Sequence, residues 1–235
     1  MAANPIDGAL SGAVIAFDLD GTLVDTAPDL IGTLNLLLAE EGVQPFPLAA
    51  ARPFIGKGAR WLIQRGFAEA GAPLPPERVP ELFDRFIARY LERIAEESRP
   101  YPGCVEALDA LQAAGARLCV CTNKLTGLST SLLGALGLAD RFDAIVGADS
   151  VPAIKPDPRH LTAAVEALGG DVRRTVMVGD AATDAGAARA AGAHLVLVSF
   201  GYTETPAAEL SPDILIDHFD ELPKACETLL GACDA

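Results

Sequence analysis

Val14-Ile15-Ala16-Phe17-Asp18-Leu19-Asp20-Gly21-Thr22-Leu23-Val24-Asp25 is the stretch on which the fold turns. Its first four residues are a short apolar run of the kind that forms a parallel strand buried on both faces. Asp18 and Asp20 follow at the end of that run, and Gly21 then permits a tight turn. Carboxylates at the carboxyl end of a central strand face the crevice in which open α/β sheets bind ligands. Two of them this close repel, and a divalent cation, a shared proton or both relieve the repulsion. An isolated Asp-x-Asp-Gly is equally what a solvated turn looks like, so the rest of the chain has to decide.

After Asp25, which braces the chain's departure, the hydrophobic period changes from strand to helix. Asp25 or Thr26 can cap, Pro28 suits a first turn, and Leu30, Ile31, Leu34, Leu37 and Leu38 recur at helical spacing as far as Gly42. A second helix is predicted after the turn 54–58, with Trp61, Leu62 and Phe67 on its apolar side. A third is predicted over 80–97, where Leu82, Phe83, Phe86, Ile87, Tyr90, Leu91 and Ile94 form a continuous stripe. Residues 27–100 therefore read as an all-helical insert. Its linkers would lie near 24–27 and 99–103, and its aromatic stripe reads as its own core.

From Val105 onward helices and short apolar strands alternate. Strands are predicted at 117–122, 144–146, 175–178, 194–198 and 214–216, with helices near 105–111, 125–136, 159–168, 184–191 and 221–230. Right-handed crossovers then give a three-layer, Rossmann-like parallel sheet. The fold class is α/β: a core of residues 1–26 and 101–235, with the helical segment 27–100 inserted as a cap.

Composition narrows the function. The chain has 235 residues, half of them hydrophobic and 21% charged, and a net charge of −14. That charge argues against nucleic acid, whose phosphates need clustered Lys and Arg. A small anionic substrate stays compatible if a metal and a few cations sit in the cleft. The five Cys (104, 119, 121, 226, 233) form no C-x-x-C pair or disulfide framework. Met1-Ala2-Ala3-Asn4-Pro5-Ile6-Asp7 lacks the basic and apolar run of a signal peptide. No segment reaches the ~20 apolar residues of a membrane span. A cytoplasmic protein, monomeric or homodimeric, is the expectation. His160, His194 and His218 show no zinc-ligand spacing.

Polar groups recur where strands end. The first strand ends in Asp18 and Asp20, the second in Thr122-Asn123, and the fourth in Gly179-Asp180 with Asp184 one helical turn later. If the strand order is 3-2-1-4-5-6, these ends are neighbours at the centre of the sheet. Lys155-Pro156-Asp157-Pro158 precedes the fourth strand, and its prolines are expected to hold an extended loop that aims one lysine. Each element alone has an ordinary explanation as a turn, a cap or a surface loop. Their joint occurrence in this order favours a reaction site.

The run 18–25, Thr122, Lys155 and Gly179-Asp180 with Asp184 resembles the four signature motifs of the haloacid dehalogenase-like hydrolase superfamily. The helical insert matches the placement of that superfamily's cap, and the resemblance extends from about Val14 to the C-terminus. It implies a Mg²⁺-dependent phosphatase working through an aspartyl-phosphate. Asp18 would be the nucleophile and Asp20 the acid and base. Mg²⁺ would be held by the Asp18 side chain, the Asp20 backbone carbonyl and Asp180, with Asp184 in support directly or through water. Lys155 would offset charge, and Thr122 with Asn123 would hold phosphoryl oxygens. Relatives that dehalogenate haloacids lack a carboxylate at the position matching Asp20, so its presence favours phosphoryl chemistry.

The turn Gly56-Lys57-Gly58, Tyr101-Pro102-Gly103 and Gly201-Tyr202 resemble phosphoglycolate phosphatases within the superfamily. This implies a small phosphate ester such as 2-phosphoglycolate, with Lys57 at the substrate. Gly56-Lys57-Gly58 is not a P-loop, because the fixed Gly spacing and the following Ser or Thr are absent. A sugar phosphomutase, a phosphatase for another small metabolite and a receiver-like regulator stand as alternatives.

Overall fold

A computed structural model of the chain describes residues 10–48 and 52–231. The N-terminal stretch read above and Cys233 lie outside the described residues. The central sheet contains β1 (Val14–Phe17), β4 (Arg117–Cys121), β5 (Ala144–Val146), β6 (Thr175–Gly179), β7 (His194–Val198) and β8 (Ile214–Ile216). Its order is β5-β4-β1-β6-β7-β8, and every neighbouring pair is parallel. Counting these six strands along the chain gives 3-2-1-4-5-6, as the sequence predicts.

Both faces of the sheet are covered, which is why its strands read as unbroken apolar runs. Ile15 and Phe17 of β1 join Leu118, Val120, Val176 and Val178 in one core, against α4 (Cys104–Ala113), α5 (Thr126–Ala135) and α8 (Leu222–Gly231). Val14 and Ala16 point the other way. They meet Cys119, Cys121 and Met177 in a second core, under α6 (Pro158–Ala167) and α7 (Ala182–Ala191). Phe17 and Ile15 are completely buried, and each such side chain contributes about 1.5–3 kcal/mol. The cores also absorb the thiols of Cys104, Cys119, Cys121 and Cys226, which are buried and unpaired. Among the described residues no helix is long and apolar enough to cross a membrane.

Between β1 and α4 the chain forms α1 (Ala27–Glu40), α2 (Ala59–Glu69) and α3 (Val79–Glu92). These helices share a separate core of Leu30, Ile31, Leu34, Leu62, Phe67, Leu82 and Phe86. The third helix is shorter than its apolar stripe predicts. Arg93 leaves helical geometry at φ −129°. The buried Asp29 carboxylate of α1 then accepts the backbone amides of Glu97 (3.1 Å) and Ser98 (2.8 Å) and the Ser98 hydroxyl (2.6 Å). Those bonds draw residues 97–98 off the helix and into β3 (Arg99–Pro100), which pairs antiparallel with β2 (Val24–Asp25). The two connections between the helical segment and the sheet are thus a short ribbon, where the sequence shows only linkers.

Candidate active site

The register of the sheet gathers the polar strand ends. Phe17 is level with Val120 on one side and Val178 on the other. Asp18, Thr122 and Asp180 therefore emerge together, with the Asp18 amide bonded to Val178 O (2.9 Å) and the Thr122 amide to Val146 O (3.1 Å). Gly21 then turns the chain at φ +86°, and a Cβ there would lie 2.6 Å from Asp180 Oδ2. Only glycine meets both demands.

Asp18, Asp180 and Asp184 form a buried group in which one carboxylate oxygen from each lies within 4.8 Å of the others. Lys155 Nζ reaches Asp18 at 2.9 Å and Asp184 at 2.7 Å. The second Asp184 oxygen accepts the amides of Asp180 (3.1 Å) and Ala181 (3.0 Å). Asp180 is held by the Thr22 hydroxyl (3.0 Å) and the Tyr202 amide (2.7 Å). Three carboxylates thus face one ammonium in a water-poor pocket. Burial pushes the Asp18 carboxyl up to about 6, against the lowering effect of Lys155. Burial, then Asp184 and Asp18, raise Asp180 well above the usual carboxylate range. Burial works against the charge on Lys155, but Asp18 and Asp184 outweigh it and hold the ammonium protonated. A hard divalent cation fits this set: its donors are all oxygen and carry more negative charge than Lys155 offsets.

Asp20 is two residues from Asp18 but its side chain stands apart from that group. Its carboxylate pairs with Lys124 Nζ at 3.0 and 3.3 Å, and the same ammonium donates to the Tyr90 hydroxyl of α3 at 2.9 Å. Thr122 Oγ1 accepts the Lys124 amide (3.2 Å). Asn123 Nδ2 bonds Gly56 O (3.2 Å) and Lys155 O (3.1 Å), joining the helical segment to the lysine loop. Asp18, Asp20, Thr122, Asn123 and Lys124 form the polar side of a cavity of about 210 Å³, whose other wall includes Ile55, Phe83 and Phe86.

Lys57 and Arg60 also line this cavity. Lys57 is nearly half exposed, lies 4.6 Å from the centre of the Trp61 ring and pairs with Glu204 at 3.2 Å. Its charge is thus partly met by Glu204. The Lys155 loop differs from expectation. Asp157 N bonds Ile154 O at 2.9 Å, so the segment turns tightly where an extended run is predicted. Buried His160 supports that turn: Nδ1 accepts the Lys155 amide (3.3 Å), which leaves Nε2 to donate to Val146 O (3.1 Å).

All the sequence-selected residues of the sheet thus converge: Asp18, Lys155, Asp180 and Asp184 around one point, Asp20, Thr122 and Asn123 beside it. Sequence reasoning missed Lys124, Tyr90, Thr22 and His160. Lys124 had a signal, since it follows Thr122-Asn123 directly. Tyr90 had none beyond its place in an apolar stripe.

The family model for haloacid dehalogenase-like hydrolases matches residues 13–192. A phosphoglycolate phosphatase of Caulobacter vibrioides is 59% identical over 226 residues, 96% of this chain and 95% of that protein. Among solved structures, a predicted phosphoglycolate phosphatase from Haemophilus somnus superposes with a TM-score of 0.85 at 32% identity, covering 92% and 98% of the two chains. CbbY from Rhodobacter sphaeroides, in complex with phosphate, superposes with a TM-score of 0.76 at 26% identity over 89% of this chain and 96% of that one.

Proposed function

The chain belongs to the haloacid dehalogenase-like hydrolases and is a phosphoric monoester hydrolase; we propose that it converts 2-phosphoglycolate to glycolate and phosphate through a phosphorylated Asp18. The observation that carries this reading is the unequal treatment of two neighbouring carboxylates. Asp18 sits against Lys155 beside Asp180 and Asp184, whereas Asp20 is paired with Lys124. Carboxylates placed in different surroundings take different roles.

In the proposed reaction an Asp18 oxygen attacks phosphorus, the ester P–O bond breaks, and Asp20 gives its proton to the departing glycolate oxygen. Asp20, now ionised, takes a proton from water. That water attacks phosphorus, breaks the bond to Asp18 and releases phosphate. Lys155 holds Asp18 in place and offsets its charge against the incoming phosphoryl group. The Thr122 hydroxyl and the Asn123 amide receive phosphoryl oxygens as negative charge builds up. Mg²⁺, held by Asp18, Asp180 and the Asp20 carbonyl with Asp184 in support, would supply further positive charge at the phosphoryl oxygens.

We read residues 27–100 as a cap closing over a core of 1–26 and 101–235. Its separate apolar core and the ribbon of β2 and β3 support this. The substrate assignment rests on the phosphoglycolate phosphatase relative and on a small cavity with Lys57 and Arg60 at its wall. A cytoplasmic location is consistent with the buried, unpaired thiols.

The test is a panel of small phosphate esters with Mg²⁺ and with a chelator. Phosphate release, fastest from 2-phosphoglycolate, lost on chelation and lost in Asp18→Asn, is the expected result. Isomerised sugar phosphate in place of free phosphate, or unmutated turnover in Asp18→Asn, would overturn the reading.

A further inference from the structure

We propose that Lys124 is a positioning residue for Asp20, holding its carboxylate in place and tying it, through Tyr90, to helix α3. The proposal rests on the reading of Asp20 as the proton-handling group. Lys124 follows β4, and its side chain is 4% exposed, while Tyr90 on α3 is completely buried. The ammonium lies 3.0 and 3.3 Å from the two Asp20 oxygens, 2.9 Å from the Tyr90 hydroxyl and 4.4 Å from the centre of that ring. A buried ammonium needs acceptors for its protons, and these two residues supply them from different parts of the fold. Asp20 is on the sheet side and Tyr90 on the helical side, so the contact exists only when the two are in this arrangement.

The geometry has a consequence for Asp20. It lies two residues from Asp18 of the acidic group, yet its side chain is not part of that group and pairs with Lys124. Among the described residues, Lys124 makes the only hydrogen bonds to that carboxylate. So held, the carboxylate stays on the wall of the cavity that receives the substrate. Burial keeps the Tyr90 hydroxyl protonated, with its pKa pushed up to about 12, so it meets Lys124 as a neutral acceptor.

A residue that places the acid matters most where the leaving group needs a proton. Glycolate and ethanol leave as poor alkoxides, whereas 4-nitrophenolate leaves without help. The experiment measures kcat/KM, which covers the steps through the first P–O cleavage, for 2-phosphoglycolate, ethyl phosphate and 4-nitrophenyl phosphate. It compares the parent with Lys124→Met, Tyr90→Phe and Asp20→Asn. Asp20→Asn should lose most of the ~10²–10⁴-fold contribution of a general acid on the two alkyl esters and far less on the aryl ester. Lys124→Met should show the same selectivity at about tenfold or more, with Tyr90→Phe in the same direction but smaller. In an Asp20→Asn background Lys124→Met should cost nothing further on 2-phosphoglycolate.

Tyr90→Phe removes a single oxygen and keeps the test valid if Lys124→Met fails to fold. Equal losses on all three esters would overturn the proposal, as would an additive loss in the double variant. So would a loss confined to 2-phosphoglycolate with ethyl phosphate spared, which would make Lys124 a ligand for the substrate carboxylate. Unchanged, unselective turnover in Asp20→Asn itself would instead remove the underlying reading of Asp20.

Discussion

Replacing Lys155 by Met keeps most of the buried stem and deletes the one ammonium among three carboxylates. The Lys155 side chain is 1% exposed and its two partners 6% and 0%, so water cannot take its place. At an effective dielectric constant of about 20, each contact near 2.8 Å is worth about 6 kcal/mol before desolvation is subtracted. Breaking a buried pair by removing one partner leaves a net loss of about 3–5 kcal/mol. For a chain of this size 1 kcal/mol moves the melting temperature by about 2–4 °C, so Lys155→Met should melt about 6–20 °C below the parent.

The assay is thermal unfolding followed by circular dichroism in a chelating buffer. The sign of the pH dependence is fixed by Asp18, whose carboxyl burial has raised to about 6 in the folded parent. A raised carboxyl favours the folded state below its unfolded value, and that benefit is lost as pH rises through the folded value. Losing the Lys155 charge raises this carboxyl further, so the defect of Lys155→Met should be larger at pH 8 than at pH 5. Mg²⁺ should narrow the gap, since a cation binding the folded form stabilises it. A melting point within about 2 °C of the parent at pH 8 without metal would refute the idea that Lys155 holds the carboxylates together.

Burial, reinforced by Lys155, pushes the His160 imidazole down to about 4, with Asp184 opposing from the same cluster. The unfolded chain therefore binds the extra proton first, and His160 should cost up to about 3 kcal/mol of stability as pH falls from about 6.5 to about 4. Urea unfolding of His160→Asn should lack that component, and an identical pH dependence in the two proteins would contradict it. A Cβ at Gly201 would lie 2.2 Å from Asp180 Cβ. Gly201→Ala should therefore displace Asp180, weaken Mg²⁺ dependence in a metal titration and lower kcat by about 10²-fold; parent-like kinetics would show that the loop yields freely. Lys57 already pairs with Glu204 at the surface, so Lys57→Ala should raise KM for 2-phosphoglycolate by only about two- to fivefold with kcat unchanged. An unaltered KM would remove Lys57 from substrate binding.

The core was legible because each strand is buried on both faces, which leaves continuous apolar runs ending in polar residues. Val14–Phe17 followed by Asp18, and Thr175–Gly179 followed by Asp180, are sufficient to place the crevice. What the sequence concealed was set by contacts between distant residues. The course of the chain after α3 is set by Asp29, whose carboxylate takes amides 68 and 69 positions away. The strands β2 and β3 have two residues each, too few for any periodicity. The pairing of Lys57 with Glu204, 147 positions on, has no signal in the sequence around either residue. Tyr90 reads as core because its ring is core, and only its hydroxyl, reaching Lys124 across 34 positions, adds another role.

The most direct test of the proposed chemistry is a rapid acid quench of the protein during turnover of 2-phosphoglycolate with Mg²⁺, followed by peptide mass analysis. A phosphoryl group on the peptide carrying Asp18, absent in Asp18→Asn, is the predicted result. Phosphorylation of another residue, or product formation with no phosphorylated peptide at any quench time, would contradict the assignment of Asp18 as the nucleophile.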